Sequence, residues 1–258
     1  MVKAGAAGSA AEYALQVEGL SKRYGAKVAV DGISFGVRPG EIVGLLGPNG
    51  AGKTTTINMV LGVLQPTGGS IRIEQVDLAR HRSLALSHTN FAAVYATLPG
   101  NLTVAQNLRC FSLLYNVVQA QPRIEHLLAE FELQALRNTR AGVLSSGEQT
   151  RLALAKAIIN QPRLLLLDEP TASLDPSAAA LIRTRIRAKA TQSGCGILWT
   201  SHNMYEVEET CDRVLFLSHG KVLLEGDPRR LPQEHGAASL EALFIRLARE
   251  PLDERRAP

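Results

Sequence analysis

The 258-residue sequence predicts an α/β fold built on a central, mostly parallel sheet. Four short runs are almost entirely apolar, as is typical of strands covered on both faces; they are residues 42–46, 164–167, 196–200 and 214–217. Helical patterns separate these runs, and strands that alternate with helices indicate a parallel sheet. The predicted helices are residues 53–64, 104–118, 122–131, 147–160, 176–190 and 203–211.

Two further segments predict subdivisions of this fold. Residues 15–18 alternate apolar and polar side chains, and residues 71–74 repeat the alternation after a predicted turn at Gly68-Gly69. This pattern predicts an N-terminal antiparallel β subdomain. Residues 102–142 carry helical patterns without a strand pattern, which predicts a helical subdomain inserted into the core.

A last amphipathic helix is predicted over residues 239–249. It places four apolar side chains at helical spacing, namely Leu240, Leu243, Phe244 and Leu247. Such a stripe packs against the chain's own core or against a partner or second copy, and the first interpretation is favoured.

Composition excludes several classes of protein. Hydrophobic residues make up 45% and charged residues 20%, which is typical of a globular chain and not of a disordered or fibrous one. The net charge of +4 is spread along the chain without a long basic block, so no nucleic acid partner is expected. Three cysteines without C-x-x-C spacing indicate free thiols. The sequence shows neither a secretory leader pattern nor an apolar run of the ~18 residues that span a bilayer.

The most specific motif is a glycine-rich loop between an apolar run and a predicted helix. In this context it predicts a phosphate-binding loop, and therefore a P-loop NTPase core that binds ATP with Mg²⁺. Backbone N–H groups and the helix N-terminus attract the phosphates, Lys53 neutralises the β- and γ-phosphates, and the Thr54 hydroxyl ligates the metal. The predicted nucleotide-binding residues of this segment are Gly47, Pro48, Asn49, Gly50, Ala51, Gly52, Lys53, Thr54 and Thr55.

Two carboxylates end the apolar run at residues 164–167. The carboxyl ends of strands are where an α/β sheet places its ligands. Asp168 is predicted to hold the magnesium ion, directly or through water, and Glu169 to orient and deprotonate the attacking water. The alternative is a solvated pair of acids without a catalytic role.

His202 follows the apolar run at residues 196–200 and should reach the same edge of the sheet as Glu169. It could there donate a hydrogen bond to the γ-phosphate. A structural histidine or a helix cap is the alternative interpretation.

At this point the sequence resembles the nucleotide-binding subunits of ATP-binding cassette (ABC) transporters. Residues 144–148, Leu-Ser-Ser-Gly-Glu, are similar to that family's signature motif. The order of motifs also matches over about residues 15–226: phosphate loop, signature, Asp168-Glu169, Ser173-Leu174-Asp175 and His202. The motifs look most like those of the ATPase components of two-component, ABC-2 type exporters.

The resemblance implies an ATPase that powers transport through a separate transmembrane permease, on the cytoplasmic face of the cell membrane. It also implies a head-to-tail dimer in which the signature of one copy completes the ATP site of the other. The residues that would act in this way are Ser145, Ser146, Gly147 and Glu148. A plain capping box from Ser145 to Glu148 is the alternative explanation of that segment.

The resemblance assigns two more roles and a domain plan. Tyr24 would stack on adenine, with a core tyrosine as the alternative, and Asp175 would couple the two copies. We expect a flexible tail at residues 1–11, the ATPase domain at 12–232, and a C-terminal helix and tail at 233–258.

Three departures from the family pattern stand out. The position of the family's glutamine, which contacts the metal and the membrane partner, falls on Val94. The sequence leaves open whether Thr89, Asn90 or Tyr95 takes over or whether the contact is absent. The signature carries Ser146 for glycine and Glu148 for glutamine. Because of Val94 and Glu148, a regulatory module that binds ATP with slow turnover stays open as an alternative. A soluble ABC ATPase, for example of the iron–sulfur assembly type, is a separate alternative.

Overall fold

The computed structural model describes residues 13–93, 98–172 and 174–249, which fold into two sheets flanked by helices. The strands are β1 (Leu15–Tyr24), β2 (Lys27–Val37), β3 (Ile42–Leu46), β4 (Gly68–Ile73), β5 (Val76–Asp77), β6 (Thr89–Ala93), β7 (Leu164–Asp168), β8 (Gly196–Thr200), β9 (Arg213–Ser218) and β10 (Lys221–Gly226). The α-helices are α1 (Lys53–Val60), α2 (Arg82–Leu86), α3 (Val104–Leu114), α4 (Ala120–Glu130), α5 (Ser146–Ala157), α6 (Pro176–Ser193), α7 (Met204–Thr210), α8 (Leu231–Glu234) and α9 (Leu240–Arg249). The predicted tail at residues 1–11 lies outside the described residues.

The central sheet has the strand order β10-β9-β3-β8-β7-β6. All pairs from β9 to β6 are parallel, and β10 is an antiparallel edge strand. All residues of β3 and β8 are buried. The predicted sheet of strands covered on both faces is confirmed.

Alternate side chains of the central strands enter two separate cores. Leu164 and Leu166 of β7 belong to the core shared with the antiparallel sheet, whereas Leu165 and Leu167 belong to the core under the helices. This alternation explains the continuous apolar runs, because each strand must offer an apolar side chain to both layers.

The second sheet is antiparallel with the order β2-β1-β4-β5, which confirms the predicted β subdomain. The predicted turn at Gly68-Gly69 is wrong, since both glycines lie within β4. Gly69 has a φ of 85°, and a Cβ there would lie 2.4 Å from the carbonyl oxygen of Gly19. The glycine therefore allows β4 to approach β1 and does not reverse the chain.

Helices without an intervening strand occupy the described residues from 98 to 163, as predicted for the helical part. Several helices end at an earlier residue than the sequence predicted. The helix starting at Val104 ends at Leu114, because Asn116 is left-handed with a φ of 51°, and α1 ends before Gly62 with a φ of 65°. The strands β2, β5, β6 and β10 and the short helices α2 and α8 were not predicted.

The C-terminal helix α9 packs against the chain's own core. Leu240 and Leu243 are buried, and the ring of Phe244 meets that of Phe216 edge to face at 5.0 Å between centroids. The favoured sequence interpretation is confirmed. All three cysteines are free thiols, as predicted.

Candidate functional site

The glycine-rich loop connects β3 to α1, and close backbone contacts require glycine at two of its positions. Gly47 has a φ of 150°, and a Cβ there would lie 2.3 Å from the carbonyl oxygen of Leu217. At Gly52, with a φ of 110°, a Cβ would lie 2.6 Å from the carbonyl oxygen of Ala29. The loop is thus pressed against β9 and β2, and larger residues at these two positions would displace it.

The loop opens the helix α1 with unprotected N–H groups. Gly52 is the N-cap, and no side chain caps the helix. The ammonium group of Lys53 donates to the carbonyl oxygens of Gly47 (2.5 Å) and Pro48 (3.2 Å), so it lies over the loop. Burial lowers the pKa of Lys53, while Glu169 and Asp168 act in the opposite direction. The arrangement offers N–H groups and a cation to an anion, as a phosphate site requires.

The acid-bearing strand β7 ends beside β8, with Asp168 paired in register with Thr200. The Thr200 hydroxyl donates to Oδ1 of Asp168 at 2.5 Å. The backbone N–H of Glu169 donates to both the hydroxyl and the carbonyl oxygen of Thr200, at 3.1 and 3.2 Å. Thr200 therefore positions both acids, a role that the sequence analysis missed.

Glu169 and His202 meet at this edge of the sheet, as predicted. Nε2 of His202 lies 3.1 Å from Oε1 of Glu169, and its backbone N–H donates to Oε2 at 3.3 Å. Oε1 is buried and, among the described residues, accepts no hydrogen bond of good geometry. Burial raises the pKa of the Glu169 carboxyl, and the charge of His202 lowers it. A carboxylate with a raised pKa and an unused lone pair has the properties of a general base.

Oxygen donors suited to magnesium lie at the same edge. Oδ1 of Asp168 accepts from Thr200, and no hydrogen bond from the described residues uses its other oxygen. Thr54 is exposed in the first turn of α1. A carboxylate and a hydroxyl are hard ligands of the kind that Mg²⁺ prefers, so the donor set fits this ion.

The signature segment begins α5. Ser145 is the N-cap, its hydroxyl accepts from the N–H of Glu148 at 3.4 Å, and Oε2 of Glu148 accepts from the N–H of Ser145 at 2.8 Å. The hydrogen bond from the backbone of Ser145 is the main reason that the pKa of Glu148 is lowered. The structure therefore contains the capping box that was the alternative explanation of this segment. It leaves Ser145 and Ser146 exposed and Gly147 half-exposed at the helix start.

Two other residues implied by the resemblance have clear local settings. Tyr24 ends β1 with half of its surface exposed, so the interpretation as a core tyrosine is wrong. Asp175 caps α6 by accepting from the N–H groups of Ser177 and Ala178, both at 3.0 Å. Ser173 lies outside the described residues.

Thr89 and Asn90, two of the residues considered as substitutes for the glutamine expected at position 94, have side chains bonded to other parts of the fold. Asn90 pairs with Leu165, several residues before the acid end of β7. Its amide donates to Asn160 at 3.0 Å and its carbonyl accepts from Tyr115 at 3.1 Å, so the side chain joins the sheet to the helices. Thr89 lies one residue earlier and donates to the carbonyl of Ala85. Val94 and Tyr95 lie outside the described residues.

The fold and this site define a nucleotide-binding cassette, and comparisons with known proteins agree. The family model described as ABC transporter matches residues 30–172, more than half of the chain. The chain is 40% identical over 222 residues to the Nod factor export ATP-binding protein I of Paraburkholderia xenovorans (strain LB400), covering 85% of this chain and 73% of that protein. The protein of the same name from Rhizobium sp. (strain N33) is 38% identical over 233 residues, covering 90% and 76%. The chain belongs to the ABC transporter ATPase family.

Solved structures show the same architecture. An ATP-binding subunit of an ABC transporter superposes with a TM-score of 0.82 at 31% identity, covering 91% of this chain and 99% of that one. CbiO1 from Clostridium perfringens, part of an ABC transporter complex, superposes with a TM-score of 0.76 at 26% identity, covering 86% and 92%. The protein is an ATP-binding ATPase of this family. Within the described residues, no helix has the length and apolar character needed to cross a membrane.

Proposed function

We propose that this chain hydrolyses ATP to power the transport of a substrate through a separate transmembrane permease. The observation that carries the proposal is the pairing of Glu169 with His202. Both residues follow strands that end at the edge at which the phosphate loop follows β3. Oε1 of Glu169 lies 3.1 Å from Nε2 of His202 but accepts no hydrogen bond of good geometry from the described residues, so it keeps a lone pair with which it would activate a water molecule. His202 would donate a hydrogen bond to the γ-phosphate.

Magnesium is the second part of the proposal. Thr54 and Asp168 would hold the ion, which would neutralise the charge that develops on the phosphates during transfer. Thr200 would keep Asp168 in place by its hydrogen bond to Oδ1. Tyr24, half-exposed at the end of β1, would stack on the adenine base.

A second copy of the chain would complete the site. Ser145 and Ser146 are exposed and Gly147 is half-exposed at the start of α5, so this helix start lies on the surface, where it can meet an ATP bound by the partner copy. Ser146, Gly147 and Glu148 would share this contact, and Asp175 would couple the two copies. ATP binding would then belong to one chain and hydrolysis to the dimer.

The relatives support the transport role. Two of them are named as export ATP-binding proteins, and CbiO1 is described as part of a transporter complex. By analogy, this chain would attach to the cytoplasmic face of a membrane through its permease. A cell extract or vesicle that contains the permease should therefore stimulate its phosphate release.

The experiment is the substitution Glu169→Gln, which keeps the size of the side chain but removes the base. Phosphate release should fall by roughly 100-fold or more, because general base catalysis contributes that much. Binding of a fluorescent ATP analogue and ATP-driven dimerisation should persist. The matched control is Glu132→Gln, since Glu132 is exposed and has a φ of 55°, close to the 52° of Glu169. Unchanged turnover in Glu169→Gln would refute the role assigned to this residue.

The same assay distinguishes a transport ATPase from a regulatory module with slow turnover. Wild-type phosphate release that stays near the background with and without the permease would overturn the transport proposal. Stimulation by the permease, lost in Glu169→Gln and kept in Glu132→Gln, would support it.

A further inference from the structure

Glu206, in the first turn of α7, is a buried carboxylate whose partners come from three separate segments of the chain. It is 5% exposed. Oε2 accepts from the hydroxyl of Thr171 at 2.5 Å and from that of Ser201 at 3.5 Å. Oε1 accepts from the guanidinium of Arg183 on α6 at 3.2 Å. Burying a carboxylate is costly unless it is paired, so these contacts are a specific arrangement and not a chance surface cluster.

Two of these partners lie next to the residues proposed to act on ATP. Thr171 comes two residues after Glu169, in a turn held by the hydrogen bond from the N–H of Ala172 to the carbonyl of Glu169 at 3.2 Å. Ser201 directly precedes His202, and its hydroxyl accepts from the N–H of Asn203 at 3.1 Å. The segment after β7 and the segment after β8 therefore converge on the same carboxylate.

We propose that Glu206 is a positioning residue for ATP hydrolysis, which holds the segments bearing Glu169 and His202 at the separation that their pairing needs. Glu206 lines the pocket that Glu169 and His202 also line, but the hydrogen bonds of its carboxylate within the described residues go to Thr171, Ser201 and Arg183. It acts through Thr171 on one side and Ser201 on the other. The inference rests on the proposed roles of Glu169 and His202.

Thr171, which Glu206 holds, is also bonded to the segment that precedes α6. The N–H of Leu174 donates to the carbonyl of Thr171 at 3.1 Å, and the Leu174 side chain lies beside Gly147 of the signature. A displacement of Thr171 would thus shift both Glu169 and the side chain that packs against the start of α5. The geometry of attack would suffer more than the binding of ATP by the phosphate loop, which is formed by other residues.

The test uses Glu206→Gln together with Thr171→Val and Thr171→Ser in the full-length chain. A glutamine can accept from Thr171 only if its amide group turns toward the Arg183 guanidinium, donor against donor. We expect kcat for phosphate release to fall roughly 10- to 100-fold, the usual effect of a small misplacement of catalytic groups. KM for ATP should change by less than about twofold, because the phosphate loop is untouched. Simple unfolding would instead reduce the amount of active protein, which ATP-binding stoichiometry measures.

The Thr171 variants decide whether the hydroxyl carries the link. Thr171→Val keeps the shape and should lower kcat like Glu206→Gln, whereas Thr171→Ser keeps the hydroxyl and should retain most of the activity. Because the two residues act as one unit, the double variant Glu206→Gln/Thr171→Val should lose little more than either single variant. Glu208→Gln, on the same helix and without a polar partner among the described residues, is the matched control.

The proposal is overturned if folded Glu206→Gln keeps kcat within twofold of the wild type, or if the losses of the two single variants multiply in the double variant. If Glu206→Gln does not fold, the comparison of Thr171→Ser with Thr171→Val decides, and equal activities of these two would overturn it. Glu169→Gln is measured alongside. Full activity of Glu169→Gln would refute the catalytic role proposed for Glu169, on which this inference rests, while loss there combined with an active Glu206→Gln would refute only the positioning role of Glu206.

Discussion

The hydroxyl of Thr200 donates to Oδ1 of Asp168 over 2.5 Å and joins the ends of two parallel strands. This contact fixes the carboxylate that is proposed to hold magnesium. Partners that orient a metal ligand commonly change metal affinity by a factor of 10 to 100 when they are removed. Removal of the Thr200 hydroxyl should therefore weaken the binding of magnesium.

Replacing Thr200 by valine keeps the buried volume and removes the hydroxyl. We expect the Mg²⁺ concentration for half-maximal phosphate release to rise roughly 10-fold. The check is a magnesium titration at saturating ATP. Thr184→Val is the control, because this threonine is an exposed helix residue whose hydroxyl donates to the carbonyl of Ala180. Equal magnesium requirements in Thr200→Val and the control would contradict the prediction.

The pH profile should report the buried state of Glu169. Burial raises the pKa of its carboxyl, whereas the charge of His202 lowers it. Because a base must be ionised to act, turnover should fall as the pH drops through this raised pKa, above the ordinary value of about 4.3 for glutamate. In His202→Ala the lowering partner is gone, so the acid limb should move to still higher pH. His126→Ala, in an exposed part of α4, should leave the limb in place. An acid limb at unchanged or lower pH in His202→Ala would show that this pair is not coupled as the structure indicates.

The dimeric site can be tested by mixing two inactive variants. Lys53→Met removes the phosphate-binding cation. Gly147→Asp places a negative charge where the partner's γ-phosphate would lie, and its Cβ would meet nothing closer than a Leu174 methyl group at 3.8 Å. An acidic residue in the first turn also favours the helix, so α5 should stay folded. Each variant alone should be inactive, and Gly147→Asp should still bind ATP as a monomer.

A mixture of these two variants should recover phosphate release, because one of its two sites combines an intact phosphate loop with an intact signature. The activity is measured against each variant at the same total concentration. A mixture as inactive as its components would argue against completion of the site by a second copy.

The phosphate loop offers a prediction on stability. An alanine at Gly47 would clash with the carbonyl oxygen of Leu217, whereas an alanine at Gly50, with a φ of 81°, would meet no atom within 4 Å. Gly50→Ala should cost only the strain of a left-handed residue, and Gly47→Ala should lose about 1–3 kcal/mol more of the free energy of unfolding. Urea denaturation of both variants measures this difference. A Gly47→Ala variant as stable as Gly50→Ala would show that the loop can move away from β9.

Local patterns predicted the elements that build the ATP site. The four apolar runs became β3, β7, β8 and β9, and the glycine-rich loop lies between β3 and α1 as expected. These signals are strong because each depends on neighbouring residues: burial on both faces needs a continuous apolar run, and a phosphate loop needs glycines at fixed spacing.

The missed elements lack such signals. The strand β6 contains Thr89 and Asn90, polar residues whose side chains are buried through partners on other elements, so its sequence does not read as apolar. The glycines at 68 and 69 suggested a turn, but the close approach of β4 to β1 is what requires a glycine at position 69. For Asn90 and for Gly69 the decisive contact is made by a residue distant in the chain, Asn160 and Gly19 respectively.

The sequence by itself determined the class of fold, the phosphate loop, the acid pair and the order of motifs, because these depend on spacing along the chain. Only the tertiary structure decided that Thr200 holds Asp168 and that Glu206 collects Thr171, Ser201 and Arg183. The contacts of Glu206 with Arg183, of Asp168 with Thr200 and of Glu206 with Thr171 join residues 23, 32 and 35 positions apart, through the parallel pairing of β7 with β8 and the packing of α6 and α7. No local pattern encodes which buried hydroxyl will meet which carboxylate, since that depends on how the strands and helices are placed in space.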